Sequence, residues 1–153
     1  MSAPLIVRES IYIEAPAATI WKHLTTAEST RTYMYGIGVQ SSWKVGEPVN
    51  WYGPNEAGEE HLILKGTLLE YDPYRRYQYD IIWISSGRAD IPDNYTTVTL
   101  SFTSEGKGIR LSIEQGDFAT LEGGQKAFAE TPALWKASLE AVRQLAEKEA
   151  KQR

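Results

Sequence analysis

The sequence predicts an α+β domain in which a curved antiparallel sheet wraps a long C-terminal helix. Three observations carry the prediction. A strand-like segment at 5–14 leads into a short, proline-started helix. Strand-like segments then follow one another between residues 38 and 117. From residue 124 onward the apolar period changes to about 3.6 and keeps that value. A sheet that curves around one helix is not filled by its own side chains, so this order implies a pocket between the two layers.

From Leu5 to Glu14, Val7, Ile11 and Ile13 alternate with Arg8, Ser10 and Tyr12, the period of a half-buried strand; Glu9 is the misfit. Ala15-Pro16 ends the strand. Pro16 suits the first turn of a helix, where its missing N–H costs nothing, and Ile20, Trp21 and Leu24 supply the apolar face. Thr25-Thr26-Ala27-Glu28 matches a capping box and predicts a second short helix starting there.

Glycines at 36, 38, 46, 53, 58 and 66 then punctuate segments rich in Val, Trp, Tyr, Ile and Thr. Strands are predicted near 38–44, 47–52, 61–71, 75–84, 95–104 and 108–117. The clearest hairpin turns at 104–108, because Val98, Leu100 and Phe102 alternate before it and Ile109, Leu111 and Ile113 after it. Asp72-Pro73-Tyr74 is a second turn, followed by an aromatic inner face of Tyr77, Tyr79, Ile81 and Trp83. Beyond Gly123-Gly124, Phe128, Trp135, Leu139, Val142 and Leu145 share one helical stripe. Thr131-Pro132 reads as an N-cap followed by proline at the first helical position. The principal helix is therefore expected from 132 to about 150, roughly 28 Å long, with a lead-in turn before it. Lys136 with Glu140, Arg143 with Glu147 and Glu147 with Lys151 mark its solvated side.

The composition excludes several classes of function. A chain of 153 residues suits one domain spanning 1–153, and its mean hydropathy of −0.40 is that of a water-soluble globular protein. No apolar run approaches the length of a membrane span, and residues 1–13 lack a secretory pattern, so a cytoplasmic location is expected. Zero cysteines remove disulfides, thiol nucleophiles and thiolate metal sites. A net charge of −4 argues against a nucleic-acid surface. His23 and His61 are the two histidines, neither at a metal-like spacing, so no metal and no cofactor are expected. His23 reads as a surface residue of the first helix. Ser41 or Ser112 lacks the Gly-x-Ser-x-Gly elbow of a hydrolase, and Gly123-Gly124 lacks the residues of a phosphate loop.

Several segments carry a likeness to a known family. They are Ile13-Glu14-Ala15-Pro16, Ile20-Trp21-Lys22-His23-Leu24-Thr25, Ser42-Trp43-Lys44-Val45-Gly46-Glu47-Pro48 and Gly66-Thr67-Leu68-Leu69-Glu70-Tyr71-Asp72-Pro73, before a final helix with Trp135, Leu139 and Leu145. In this order they resemble the START-like (SRPBCC, Bet v 1-like) superfamily, in the branch similar to the C-terminal domain of the activator of Hsp90 ATPase. The likeness spans nearly the whole chain. It implies a helix-grip fold: six or seven antiparallel strands around the long C-terminal helix, with two short helices after the first strand. Members of the superfamily bind hydrophobic molecules, cyclise polyketides or assist chaperones, so the fold does not choose the function.

The aromatic bias points to an occupied or wet cavity. Five Trp and nine Tyr stand against three Phe, and buried indole N–H and phenol O–H groups need partners that a dry core does not supply. The leading expectation is a binding protein for a small hydrophobic or aromatic ligand, with Trp51, Tyr79, Trp83, Val98, Leu100, Phe118, Phe128, Trp135 and Leu139 lining the site. The enzymatic alternative is a cyclase, dehydratase or hydrolase using Glu70 or a tyrosine: alternation sets Glu70 on the face of Leu62, Leu64 and Leu68, but Ile63 and Leu69 make the other face apolar too, so Glu70 is either an inward acid–base group or an exposed carboxylate before the Asp72-Pro73 turn. A third is a chaperone cofactor acting through its outer surface. Asp90 and Asp93, with Arg88, fall in a loop over the expected mouth.

Overall fold

The computed structural model describes residues 3–152. Seven strands, β1 (Val7–Ile13), β2 (Gly38–Ser41), β3 (Pro48–Pro54), β4 (Glu60–Asp72), β5 (Arg76–Trp83), β6 (Thr96–Glu105) and β7 (Gly108–Gly116), form one antiparallel sheet. Helices α1 (Ala17–Thr25) and α2 (Ala27–Tyr33) follow β1, and α3 (Gly124–Lys151) ends the chain. The sheet order is β1-β7-β6-β5-β4-β3-β2. From β2 to β7 each strand pairs with the next, and β1 closes the far edge beside β7. This is the expected α+β helix-grip fold, with seven strands.

Cross-strand register stacks the inner face in rows. Tyr77 pairs with Leu100, and Leu100 with Ile113; one step along, Leu68 pairs with Tyr79, Tyr79 with Val98, and Val98 with Gln115. The β6–β7 hairpin closes at Glu105 opposite Gly108, so its turn is the two residues Gly106-Lys107, with Gly106 at φ 55°.

Two helix boundaries differ from expectation, each for a local reason. At α2 the capping box does not form: Thr26 is the N-cap residue, but neither hydroxyl caps α2. Thr25 Oγ1 donates to the Trp21 carbonyl and Thr26 Oγ1 to the Lys22 carbonyl, both at 2.8 Å, while the Tyr33 hydroxyl donates to the His23 carbonyl, also at 2.8 Å. Three successive carbonyls in the last turns of α1 thus receive side-chain hydroxyls. The end of α1 would otherwise leave its last carbonyls without partners, and that need outcompetes the start of α2.

α3 begins at Gly124, and Pro132 lies inside it. The expected N-cap at Thr131 is absent, because the Thr131 hydroxyl donates back to the Ala127 carbonyl at 2.6 Å. Packing of the earlier turns overrides the proline signal. Phe128 meets Phe118 edge to face at 6.0 Å, and a Cβ on Gly124 would lie 1.8 Å from the Phe118 carbonyl oxygen, so glycine lets the helix start press on that turn. Of the expected surface pairs, Arg143 meets Glu147 at 2.8 Å; Glu140 pairs with Arg143 as well.

The core lies where β1, β6 and β7 meet α1 and the C-terminal half of α3. Ile13, Ile20, Leu111, Val142 and Ala146 are buried there. Between Gly124 and Leu139, however, no residue of α3 is fully buried. That half of the helix spans a hollow.

Candidate functional site

The hollow is a cavity of about 320 Å³ between the inner face of the sheet and the N-terminal half of α3. This falls within the roughly 300–1,000 Å³ of small-molecule sites. Strands β3 to β7 supply the floor through Trp51, Leu64, Tyr77, Tyr79, Ile81, Val98, Leu100 and Gln115; α3 supplies the roof through Thr131, Trp135, Ser138 and Leu139. The α2–β2 segment closes one side with Tyr33, Met34 and Ile37. Tyr35, 89% exposed, and Trp83, 47% exposed, stand with Leu134 at the open rim.

Of the nine residues expected to line a ligand site, eight border this cavity: Trp51, Tyr79, Trp83, Val98, Leu100, Phe118, Trp135 and Leu139. Phe128 does not, because its ring is spent on Phe118 beneath the first turns of α3. Among the wall residues outside those nine, Tyr33, Met34 and Ile37 follow or end a helix too short to show a clear apolar period.

Two sets of polar atoms on the inner walls contrast. Trp135 Nε1 donates to Gln115 Oε1 at 2.7 Å, and Gln115 Nε2 donates to Thr96 Oγ1 at 2.9 Å, a chain that ties roof to floor and satisfies its own members. Tyr77 and Tyr79 differ. Their side chains are 3% and 6% exposed, yet neither hydroxyl has a hydrogen-bond partner among the described residues, and both oxygens open onto the cavity. Burial holds both phenols, and Tyr33, well above the ordinary tyrosine pKa, with neighbouring tyrosines adding to the effect at Tyr77 and Tyr79. At neutral pH these groups are protonated and act as donors or acceptors, not as bases.

Glu70 is not in the cavity. The β4–β5 register shifts between Leu68 and Glu70, so Leu68 opposes Tyr79 on the inner face whereas Glu70 opposes Gln78 on the outer one. One inserted residue reverses the phase of everything beyond it. Glu70 is exposed and pairs with Arg76 at 2.7 Å. Among the described residues no carboxylate lines the cavity, and Arg88 is its one charged side chain.

His23 also lies elsewhere than expected. It is buried, with Nδ1 2.9 Å from Ser29 Oγ and Nε2 3.8 Å from Glu149 Oε1, and desolvation keeps its pKa below the usual value against the opposing pull of Glu149. Neither His23 nor Ser29 lines the cavity, so the cluster straps α1 to α2 and α3. Ser41 donates to the Pro48 carbonyl at 2.8 Å, and His61 Nδ1 lies 3.0 Å from the Gly53 carbonyl. Trp21 anchors α1, its Nε1 3.3 Å from the Tyr71 hydroxyl. No group of three metal-ligating side chains occurs among the described residues, and no helix there is long and apolar enough to cross a membrane. In the loop after β5, Asp90 binds Lys65 and the Tyr95 hydroxyl, each at 2.5 Å.

A curved seven-stranded sheet, two short helices after β1 and a roofing α3 agree with the comparison to known families. The family described as "Activator of Hsp90 ATPase homolog 1-like protein" matches residues 14–147. The chain belongs to this family. Its branch of the START-like superfamily is the one the motifs at 13–16, 20–25, 42–48 and 66–73 resemble. A solved structure of ChR145 from Cytophaga hutchinsonii is similar over 99% of each chain, at 29% identity and a TM-score of 0.77. The Aha1 dimer from Colwellia psychrerythraea is similar over 93% of this chain and 96% of its own, at 12% identity and a TM-score of 0.70. CalU16 from Micromonospora echinospora is similar over 96% of this chain and 78% of its own, at 19% identity and a TM-score of 0.64. The last two likenesses are of fold alone. No curated protein matches the chain.

Proposed function

We propose that this member of the family binds a small apolar or aromatic molecule in the cavity under α3. The observation that supports the proposal is that two largely buried tyrosines, Tyr77 and Tyr79, border this mainly apolar cavity with hydroxyls that have no hydrogen-bond partner among the described residues. Water can satisfy such hydroxyls while the cavity is wet, but a guest that displaces it and offers no partner leaves each unmatched at about 1–3 kcal/mol. A guest with a polar atom beside the two hydroxyls avoids that cost. The fully exposed Tyr35 and half-exposed Trp83 give the cavity an apolar rim past which a hydrophobic guest would enter.

A thermal-shift screen over neutral and charged hydrophobic compounds tests this reading. A ligand at a hundred times its dissociation constant adds about 2.7 kcal/mol, which for a chain of this size raises the melting temperature by roughly 5–10 °C. Absence of stabilisation by every apolar class removes the proposal. The family description favours a second reading, activation of a chaperone ATPase through the outer surface. An Hsp90 ATPase assay with the intact chain decides it, and an unchanged rate removes it.

A further inference from the structure

Arg88 is the one charged side chain among the described residues that line the cavity, and it is half-buried. Its Nε donates to the Glu122 carbonyl at 2.6 Å, which fixes the guanidinium plane between the loop after β5 and the segment leading into α3. Nη2 faces Gly123, where a Cβ, had there been one, would lie 3.9 Å away. Arg8, Arg31, Arg76, Arg110 and Arg143 are ion-paired with a glutamate, while Arg75 has no ion pair among the described residues but is exposed and away from the cavity. Arg88 has no carboxylate within ion-pair distance among the described residues, although the chain carries 20 acidic residues against 16 Lys and Arg. Asp90, two residues away, is held by Lys65 and Tyr95.

A partly desolvated guanidinium with terminal N–H donors still free is matched best by a planar anion, which it binds in bidentate fashion. The wall that leads inward from it is apolar and aromatic, and from Trp83 to Tyr77 along β5 it runs about 20 Å at 3.3 Å per residue. We infer that the ligand is an apolar molecule ending in a carboxylate, with the head at Arg88 and the body lying inward toward Tyr79 and Val98. The inference rests on the ligand-binding reading above and adds the chemical class of the guest.

Matched probe pairs that differ only in charge test it: dodecanoate with dodecanamide, and 4-phenylbenzoate with 4-phenylbenzamide, titrated calorimetrically at pH 7.5 against the intact chain. At least one acid is expected to bind about tenfold or more tightly than its amide, the factor that one charge-assisted pair supplies. Arg88→Gln should bring that pair within about threefold of each other, and Arg88→Lys should keep part of the preference. The melting temperature of each variant without ligand reports separately on the lost tether to Glu122. Equal binding of acid and amide, or an acid preference that survives Arg88→Gln, overturns the inference and leaves the cavity reading intact. The same holds if neutral compounds of the wider screen bind and neither acid does. If no compound of either set binds, the cavity reading itself fails and the inference with it.

Discussion

Three tyrosines on the cavity wall, Tyr77 and Tyr79 buried and Tyr33 partly buried, offer an internal control, because the structure gives the Tyr33 hydroxyl a protein partner and denies it to the other two. Tyr33→Phe removes the 2.8 Å bond to the His23 carbonyl. That carbonyl lies in the last turn of α1, where no intrahelical N–H reaches it. The loss is one net hydrogen bond, about 0.5–1.5 kcal/mol, with a further contribution because the acceptor is left unmatched. We predict a cost of about 1–2 kcal/mol. Tyr77→Phe and Tyr79→Phe remove hydroxyls with no protein partner while keeping rings that stack at a centroid distance of 6.0 Å. Nothing is lost but contact with cavity water, so the ligand-free stability of both variants should stay within about 0.5 kcal/mol of the parent. Urea unfolding at pH 7.5 with a common m-value measures all three. A loss above about 1.5 kcal/mol for Tyr79→Phe, or none for Tyr33→Phe, would refute the assignment of which hydroxyls the fold uses and which it leaves for a guest.

Other perturbations probe the supports of the cavity. Since the folded pKa of His23 lies below the unfolded value near 6.5, the unfolded chain takes the proton first, and stability should decline as pH falls below about 6.5. His23→Asn should flatten urea midpoints compared between pH 7.5 and 5.5, and an unchanged slope would contradict the assignment; Glu140, pulled down to about 2 by Arg143, titrates below this window. Pro132→Ala restores a helical N–H inside α3 and should raise stability by about 1–3 kcal/mol in the same unfolding assay, any loss showing that the proline shapes the roof. Gly66→Ala would place a Cβ 1.7 Å from the Asp80 carbonyl oxygen, so the β4–β5 pairing should lose at least about 1–3 kcal/mol, and a neutral result would mean that the two strands stand further apart.

The fold was legible wherever a period repeats. Alternation in β5, β6 and β7 placed every strand within a few residues of its observed span, because one face of each is buried and its pattern is imposed at every second position. Errors fell where a single residue carried the signal. Pro132 has the sequence context of a helix start, but the contact of Phe128 with Phe118 is long-range and leaves no local trace. Thr25 and Thr26 match a cap by spacing, and spacing does not say which helix end holds the greater need. The bulge before Glu70 is one inserted residue in a run that is apolar on both faces, so nothing nearby marks the change of phase.

The site divides along the same line. Its aromatic and aliphatic walls follow from strand alternation, which is why Trp51, Tyr79, Val98 and Leu100 were placed on them from sequence. The groups that would choose a ligand are single, and their meaning depends on what the rest of the fold does not offer them. Gln115 is answered by Trp135 and Thr96, so it builds the wall. Tyr77 and Tyr79 are unanswered although buried, and Arg88 is unanswered although many carboxylates are available to the chain. Pairing is a property of the folded assembly, and no window of sequence contains it. Membership in a family therefore leaves the choice of guest open, and in this chain the unanswered polar atoms are where that choice would be made.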